Sequence, residues 1–366
     1  MPKFAGNFAP KSMIVPESPV AEPGPMHPFS AALIGWGREH GRHLPWRETA
    51  DPYAIWLSEV ILQQTRVDQG TAYWQRFMRR WPTVMALAQA TEDEVLREWQ
   101  GLGYYSRARH LHAAAKAVAE AGGFPTTFEG LRKLPGVGDY TAAAIASFAY
   151  GLPHAAVDGN AYRVLARHFG ISTPIDTGEG KKTFAQLAQE LLPKGASADF
   201  NQAMMDFGAT LCTPRQPLCS DCPLAVTCSA RSEGRVAQLP VKQGRTAVKT
   251  RCMTYVVARS GGRIALHQRA AGDIWQGLWE PPIAENPSRP SEPVALPEWA
   301  AGAVLLRQGL KHVLTHRILL ADVYLLDCSE RPPLPEGYVW VAPEEIGKYA
   351  LPRLVEKVFS QIIINK

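Results

Sequence analysis

The chain has 366 residues, 46% of them hydrophobic and 20% charged, with a net charge of +5 at pH 7. That length houses two domains, each with its own core, and the mild positive balance leans toward an anionic partner without being a nucleic-acid signature by itself. No run is long and apolar enough to span a membrane, and the N-terminus has neither a secretory nor a transit pattern, so a cytoplasmic protein with no membrane partner is expected.

Residues 1–27 are rich in proline and poor in large apolar groups, which predicts a disordered tail. From Pro28 the pattern is helical. Apolar positions recur at three and four over Ala54–Gln64, Ala72–Arg80, Glu92–Gln100, Ala108–Ala119, Thr141–Tyr150, Ala161–Phe169, Lys182–Leu192 and Gln202–Leu211, with Gly or Pro at the joints. The reading is an all-α domain over 28–230, a basic linker over 231–249, and a smaller α+β domain over 250–366. In the last, strands are expected over Met253–Arg259, Arg263–His267, Ile318–Leu326 and Tyr338–Val341, and a closing helix over Pro352–Ile363.

The first chemical signal along the chain is Glu59, set in an apolar helix beside Leu57, Val60, Ile61 and Leu62. Apolar surroundings favour the acid form of a carboxyl, which suits a general acid near neutral pH, and Ser58, Gln63 and Gln64 make a polar stripe around it. Next, Leu134-Pro-Gly-Val-Gly138 joins two helical stretches. Gly136 and Gly138 can adopt positive φ and let a phosphate approach the unpaired N–H groups of the following helix, an arrangement that grips a DNA backbone without reading bases. Asp158, in Val157-Asp-Gly-Asn160, opens another helix and is at least an N-cap. Its return toward the hairpin makes it a second candidate carboxylate. An acid and an aspartate beside a phosphate grip serve the departure of a base from deoxyribose: Glu59 protonates the base and Asp158 stabilises the cationic sugar.

Four cysteines follow as C-x6-C-x2-C-x5-C at Cys212, Cys219, Cys222 and Cys228. Four thiolates suit either a tetrahedral zinc or an iron–sulfur cluster, and the spacing shows only one short zinc-type pair. Cys252 and Cys328 lie in apolar stretches and read as core.

These residues together resemble the adenine DNA glycosylases, which remove adenine mispaired with 8-oxoguanine. The resemblance rests on Leu44-Pro-Trp-Arg47, Ser58 to Arg66, Gly101 to Arg107, the hairpin, Val157 to Asn160, Phe200 to Asp206 and the cysteine loop. It implies a multi-domain fold, a helix–hairpin–helix glycosylase core followed by a Nudix-like domain. It implies a [4Fe–4S] cluster on the four cysteines, and a monomer that acts on double-stranded DNA holding an 8-oxoguanine:A or G:A mispair and meets the nucleoid through it. Glu59, Asp158, Tyr140 and Asn160 form the implied catalytic set. Tyr140 falls where bifunctional relatives carry a Schiff-base lysine, and a phenol forms no imine, so a monofunctional enzyme is expected. Arg42, Leu44, Trp46, Arg47 and Gln202 would line the adenine pocket. Gln63, Leu102 and Tyr104 would enter the duplex, and Gly136, Val137 and Gly138 would hold its backbone. Leu314, Thr315 and His316 would inspect 8-oxoguanine, with Leu314 lacking the aromatic face usual there. Gly277 to Pro282 echoes the Nudix core, but the Nudix metal-binding run is absent, so this domain reads DNA and hydrolyses nothing. An endonuclease III-like pyrimidine glycosylase and a non-catalytic mismatch-binding protein are the competing readings.

Overall fold

The structure is a computed structural model that describes residues 26–244, 247–286 and 295–363. All of the proline-rich tail except Met26 and His27 lies outside the described residues. In chain order the first domain comprises α1 (Pro28–His40), α2 (Pro52–Leu62), α3 (Val67–Arg80), α4 (Val84–Gln89), α5 (Glu92–Trp99), α6 (Ser106–Glu120), α7 (Phe128–Arg132), α8 (Asp139–Tyr150), α9 (Gly159–Phe169), α10 (Gly178–Leu191), α11 (Ser197–Asp206) and the one-turn α12 (Ser229–Ser232). Helix starts follow local chemistry. Asp51 accepts from Tyr53 N at the start of α2, with Pro52 beside it, and Thr91 and Glu94 form a reciprocal capping box on α5. The short α4 and α7 are too brief to show a period in sequence.

Two apolar clusters build this domain. One gathers Trp56, Leu57, Ile61, Phe77, Trp99, Leu111 and Ile145 from α2 to α8. The other joins α1 to the later helices through Leu33, Val164, Leu165, Phe184, Phe200 and Phe207. Helix α2 is buried on all sides from Tyr53 to Ile61, which makes it the axis of the first cluster and leaves a polar side chain within it facing protein. The functional cavity opens where α2 and α8 face α9 and α11.

The second domain holds β1 (Lys249–Ser260), β2 (Arg263–Gln268), β3 (Trp279–Glu280), β4 (Ile283–Asn286), β5 (Val304–Val313), β6 (Arg317–Cys328), β7 (Val339–Val341) and α13 (Arg353–Ile363). Strand order is β3-β2-β1-β6-β5, with β4 on β1 and β7 on β2. β1 and β6 run parallel from Lys249 opposite Arg317 to Ser260 opposite Cys328. The hairpin expected across Gly261 and Gly262 forms, both glycines at positive φ. β5 escapes a sequence reading because two register shifts and Gly309 at φ 65° break its alternation.

The segment expected as a linker is strapped to the first domain as far as Gly244. Leu239 is buried, Ile175 N donates to Val241 O, and Asp176 accepts from Gln243 N and Gly244 N. The two domains also touch directly. Arg109 Nη1 donates to Gln276 O at 2.8 Å, Gln268 Nε2 to Asp93 Oδ1 at 2.8 Å, and the Gln100 amide reaches Glu356. Buried apolar residues of β1, β2, β6 and α13 are continuous with those of α2 to α8.

Candidate active site

A cavity of about 450 Å3 lies between α2, α8, α9 and the loop after α1. Its lining brings together Glu59, Asp158, Tyr140 and Asn160 with Arg42, Leu44, Trp46, Arg47, Gln202 and Gln63, residues scattered over much of the first domain. Glu59 is 7% exposed. Tyr140 Oη donates to its Oε2 at 2.7 Å and also approaches Met205 Sδ. Burial is the largest influence on Glu59 and raises its pKa to about 7, against the lowering effect of the Tyr140 hydrogen bond and the Arg47 charge; the Asp158 charge raises it further. Glu59 is therefore an acid that still holds a proton in the neutral range. The Tyr140 phenol, buried and beside two carboxylates, is pushed well above the ordinary phenol range and stays a donor.

Asp158 is the N-cap of α9 and a cavity residue at once. Its Oδ1 accepts from Ala161 N at 2.8 Å and its Oδ2 from Asn160 Nδ2 at 2.7 Å. Burial raises its pKa, and these hydrogen bonds and Arg163 oppose the rise. Asn160 is in turn held by Arg163 Nη2 at 2.8 Å, and the same arginine reaches Gly208 O and Cys212 O. The carboxylate is thus fixed from the cysteine-loop side of the domain.

A functional residue without a local sequence signal is Asp206, at the end of α11. It is 1% exposed and accepts from Arg42 N, Arg42 Nε, Arg47 Nη1 and Arg47 Nη2 at 2.6 to 2.9 Å. The two arginines hold its carboxyl below the usual range although burial opposes them.

At the junction of the domains a second cavity of about 530 Å3 is lined by Leu102, Tyr104, Arg109, Asp273, Trp275, Leu314, Thr315, His316 and Arg317. The tight turn between β5 and β6 closes through Leu314 N and Arg317 O, and the Thr315 hydroxyl meets the Tyr104 phenol. Trp275, at φ 63°, supplies an aromatic ring to this cavity, a placement with no local sequence signal. Leu102 is 8% exposed and packed in the core, so the ring presented outward on that turn is Tyr104, at φ 47° and 40% exposed. Arg107 ties the two sides together, bonding Val60 O and Ile61 O at the end of α2 and Leu102 O and Gly103 O. Gln63 points toward Thr141, while Gln64 is exposed at φ 58°.

The hairpin between α7 and α8 forms as expected, and of its two glycines Gly136 alone uses positive φ. Gly136 takes φ 74°, and a Cβ there would sit 2.6 Å from His110 Cβ. Gly138 is extended at φ −91° and is the N-cap of α8 without a side-chain cap, so it needs no left-handed freedom. No heavy atom lies within 4 Å of where its Cβ would be. Val137 turns its side chain into the core and donates its N–H to Leu134 O, which leaves the glycines as the exposed part of the turn.

Cys212, Cys219, Cys222 and Cys228 line one small cavity with Arg167, Leu211 and Val236. Burial pushes the Cys222 thiol up to about 11, and Arg167 approaches Cys212 Sγ at 3.4 Å. Four soft donors around one apolar space fit a sulfur-ligated centre. Among the described residues no three His, Cys, Asp or Glu side chains converge tightly enough to hold a single ion, so the fit lies in the shared cavity and donor set. Arg215 and Arg231 are exposed nearby, whereas Arg235 is paired with Glu233 and Ser172.

Comparison with known proteins follows the same division. Residues 57–194 match the HhH-GPD superfamily of base excision DNA repair proteins and 253–361 match the NUDIX domain. The chain is similar to the adenine DNA glycosylase of Homo sapiens, at 34% identity over 90% of this chain and 73% of that protein, and to that of Mus musculus, at 35% over 90% and 77%. Among solved structures it resembles a thermostable thymine-DNA glycosylase, with 31% identity and a TM-score of 0.53, covering 56% of this chain and 95% of the other.

Proposed function

Since the chain belongs to the adenine DNA glycosylase family and is a base-excision repair enzyme, we propose that it hydrolyses the N-glycosidic bond of adenine opposite 8-oxoguanine or guanine and leaves the strand uncut. The observation that carries this reading is Glu59, a buried carboxyl whose acid form persists to about pH 7, in one cavity with Asp158. In the reaction the base turns out of the duplex into the cavity lined by Arg42, Leu44, Trp46, Arg47 and Gln202. Glu59 gives its proton to adenine N7 as the bond to the sugar breaks. Tyr140 occupies one carboxyl oxygen as a donor, which directs the proton to the other. Asp158, oriented by Asn160 and Ala161 N, stabilises the cationic sugar until water adds. No lysine is among the residues lining this cavity, which supports base removal without strand cleavage.

The junction cavity with Thr315, His316 and Tyr104 is where the opposite 8-oxoguanine would be inspected, Trp275 offering the aromatic face that Leu314 lacks. The hairpin glycines would admit the backbone phosphates. Cys212, Cys219, Cys222 and Cys228 would hold a [4Fe–4S] cluster, whose ligation would order a loop that has little apolar core. The enzyme would work as a monomer in the cytoplasm, on the nucleoid.

A panel of duplexes with A:8-oxoguanine, A:G, T:G and A:T pairs tests the reading. Free adenine from the first two, with nicks that appear only after alkali, is expected. Release of thymine from T:G, or nicking without alkali, would contradict it.

A further inference from the structure

The cavity that receives the base has a wall made of Arg42, Leu44, Arg47 and Gln202, and these same residues line a second cavity of about 310 Å3 on its far side. Asp206 belongs to the second cavity and not to the first. It is the last residue of α11, one turn beyond Gln202, and each of its two carboxylate oxygens is shared between Arg42 and Arg47. Arg47 is held as a fork by paired N–H donors, with a further bond from Nη1 to Arg42 O. An arginine beside an acid that must keep its proton is a hazard, because a positive charge free to close on it draws that proton off.

We propose that Asp206 is a positioning residue for excision: it fixes Arg42 and Arg47 as one wall of the base cavity and holds the Arg47 guanidinium where it cannot close on Glu59. The inference rests on Glu59 acting as the acid. Around Glu59 the charged and titratable groups are Tyr140 of α8, Asp158 at the start of α9 and Arg47 of the turn Pro45–Arg47. Around Asp206 they are Arg42 and Arg47. Asp206 lies outside the base cavity and bonds Arg47, so its influence on Glu59 runs through where it holds that side chain.

The test is the single-turnover excision rate on an A:8-oxoguanine duplex as a function of pH, for wild type, Asp206→Asn, Asp206→Glu, Arg47→Gln and the double variant Asp206→Asn with Arg47→Gln. Wild type should lose rate as pH rises through about 7. In Asp206→Asn an Arg47 released from its fork approaches Glu59 and lowers the midpoint by roughly half to one pH unit, in Arg47→Gln the midpoint rises, and adding Asp206→Asn to Arg47→Gln moves it no further. Asp206→Glu keeps the charge and returns the midpoint toward wild type. Asp206→Asn that slows excision equally at every pH, or a shift that persists without Arg47, overturns the proposal. Should Asp206→Asn fail to fold, an Arg47→Gln profile superimposable on wild type overturns it as well. A wild-type profile with no descending limb near neutrality instead removes the acid reading itself, so the two failures are told apart.

Discussion

At the scale of single residues the chemistry turns on Glu59, and its environment carries a stability cost that can be measured. A carboxyl whose folded pKa is raised from 4.5 to about 7 contributes most to stability when protonated in both states, below its unfolded pKa. That contribution falls as pH rises from the unfolded to the folded value. Glu59→Gln removes the ionisation while its amide oxygen can still accept from Tyr140. The variant should therefore gain on the order of 1–3 kcal/mol relative to wild type above neutral pH, and little at acidic pH, while losing excision. Thermal unfolding of both proteins at an acidic and an alkaline pH checks this; a gain that is the same at both would contradict it. Glu59 was legible because it stands among Leu57, Val60, Ile61 and Leu62 with Ser58, Gln63 and Gln64 as a polar stripe around it, the pattern of a lined site. Asp206 was not, since in sequence it is one acidic residue at a helix end. Its arginine partners lie 159 and 164 positions away. Trp275 was hidden for a different reason: a tryptophan at positive φ follows from tertiary contacts and has no local signature.

At the scale of elements, the hairpin separates two uses of glycine that look alike in the sequence. Gly136→Ala would place a left-handed alanine against His110, and a loss of about 1–3 kcal/mol in stability is expected. Gly138→Ala fits an extended backbone in open space and should leave the melting temperature nearly unchanged. Its added methyl would stand where phosphate approaches the uncapped start of α8, so affinity for any duplex should fall about ten-fold, a cost of roughly 1.4 kcal/mol. Filter binding with a matched duplex measures it, and unchanged affinity would show that the backbone lies elsewhere. Most long helices were readable from their apolar period. The five-residue α7 that begins the hairpin was not, and the motif after it located the turn instead. β5 stayed hidden because its bulges and Gly309 erase the alternation on which a strand is recognised.

At the scale of the whole molecule, the second domain is built against the first rather than tethered to it. The contacts of Arg109 with Gln276, Gln268 with Asp93 and Tyr104 with Thr315 join residues more than 160 positions apart. Composition marked where the second domain begins, but no local pattern encodes which of its faces docks, so the junction cavity appeared only in three dimensions. If that cavity reads the base opposite adenine, Thr315→Ala combined with His316→Ala should lower the preference for A:8-oxoguanine over A:G by about ten-fold, as expected for loss of one or two polar contacts. The rate on A:G itself should change little. An unchanged ratio of the two rates would assign recognition to other residues.

The most direct test of the account is the single-turnover release of adenine from an A:8-oxoguanine duplex by wild type and by Glu59→Gln, with duplex affinity measured in parallel. Release by wild type, and binding without release by Glu59→Gln, is the result expected of a buried acid that donates the proton. Release by Glu59→Gln at a rate near wild type would contradict it.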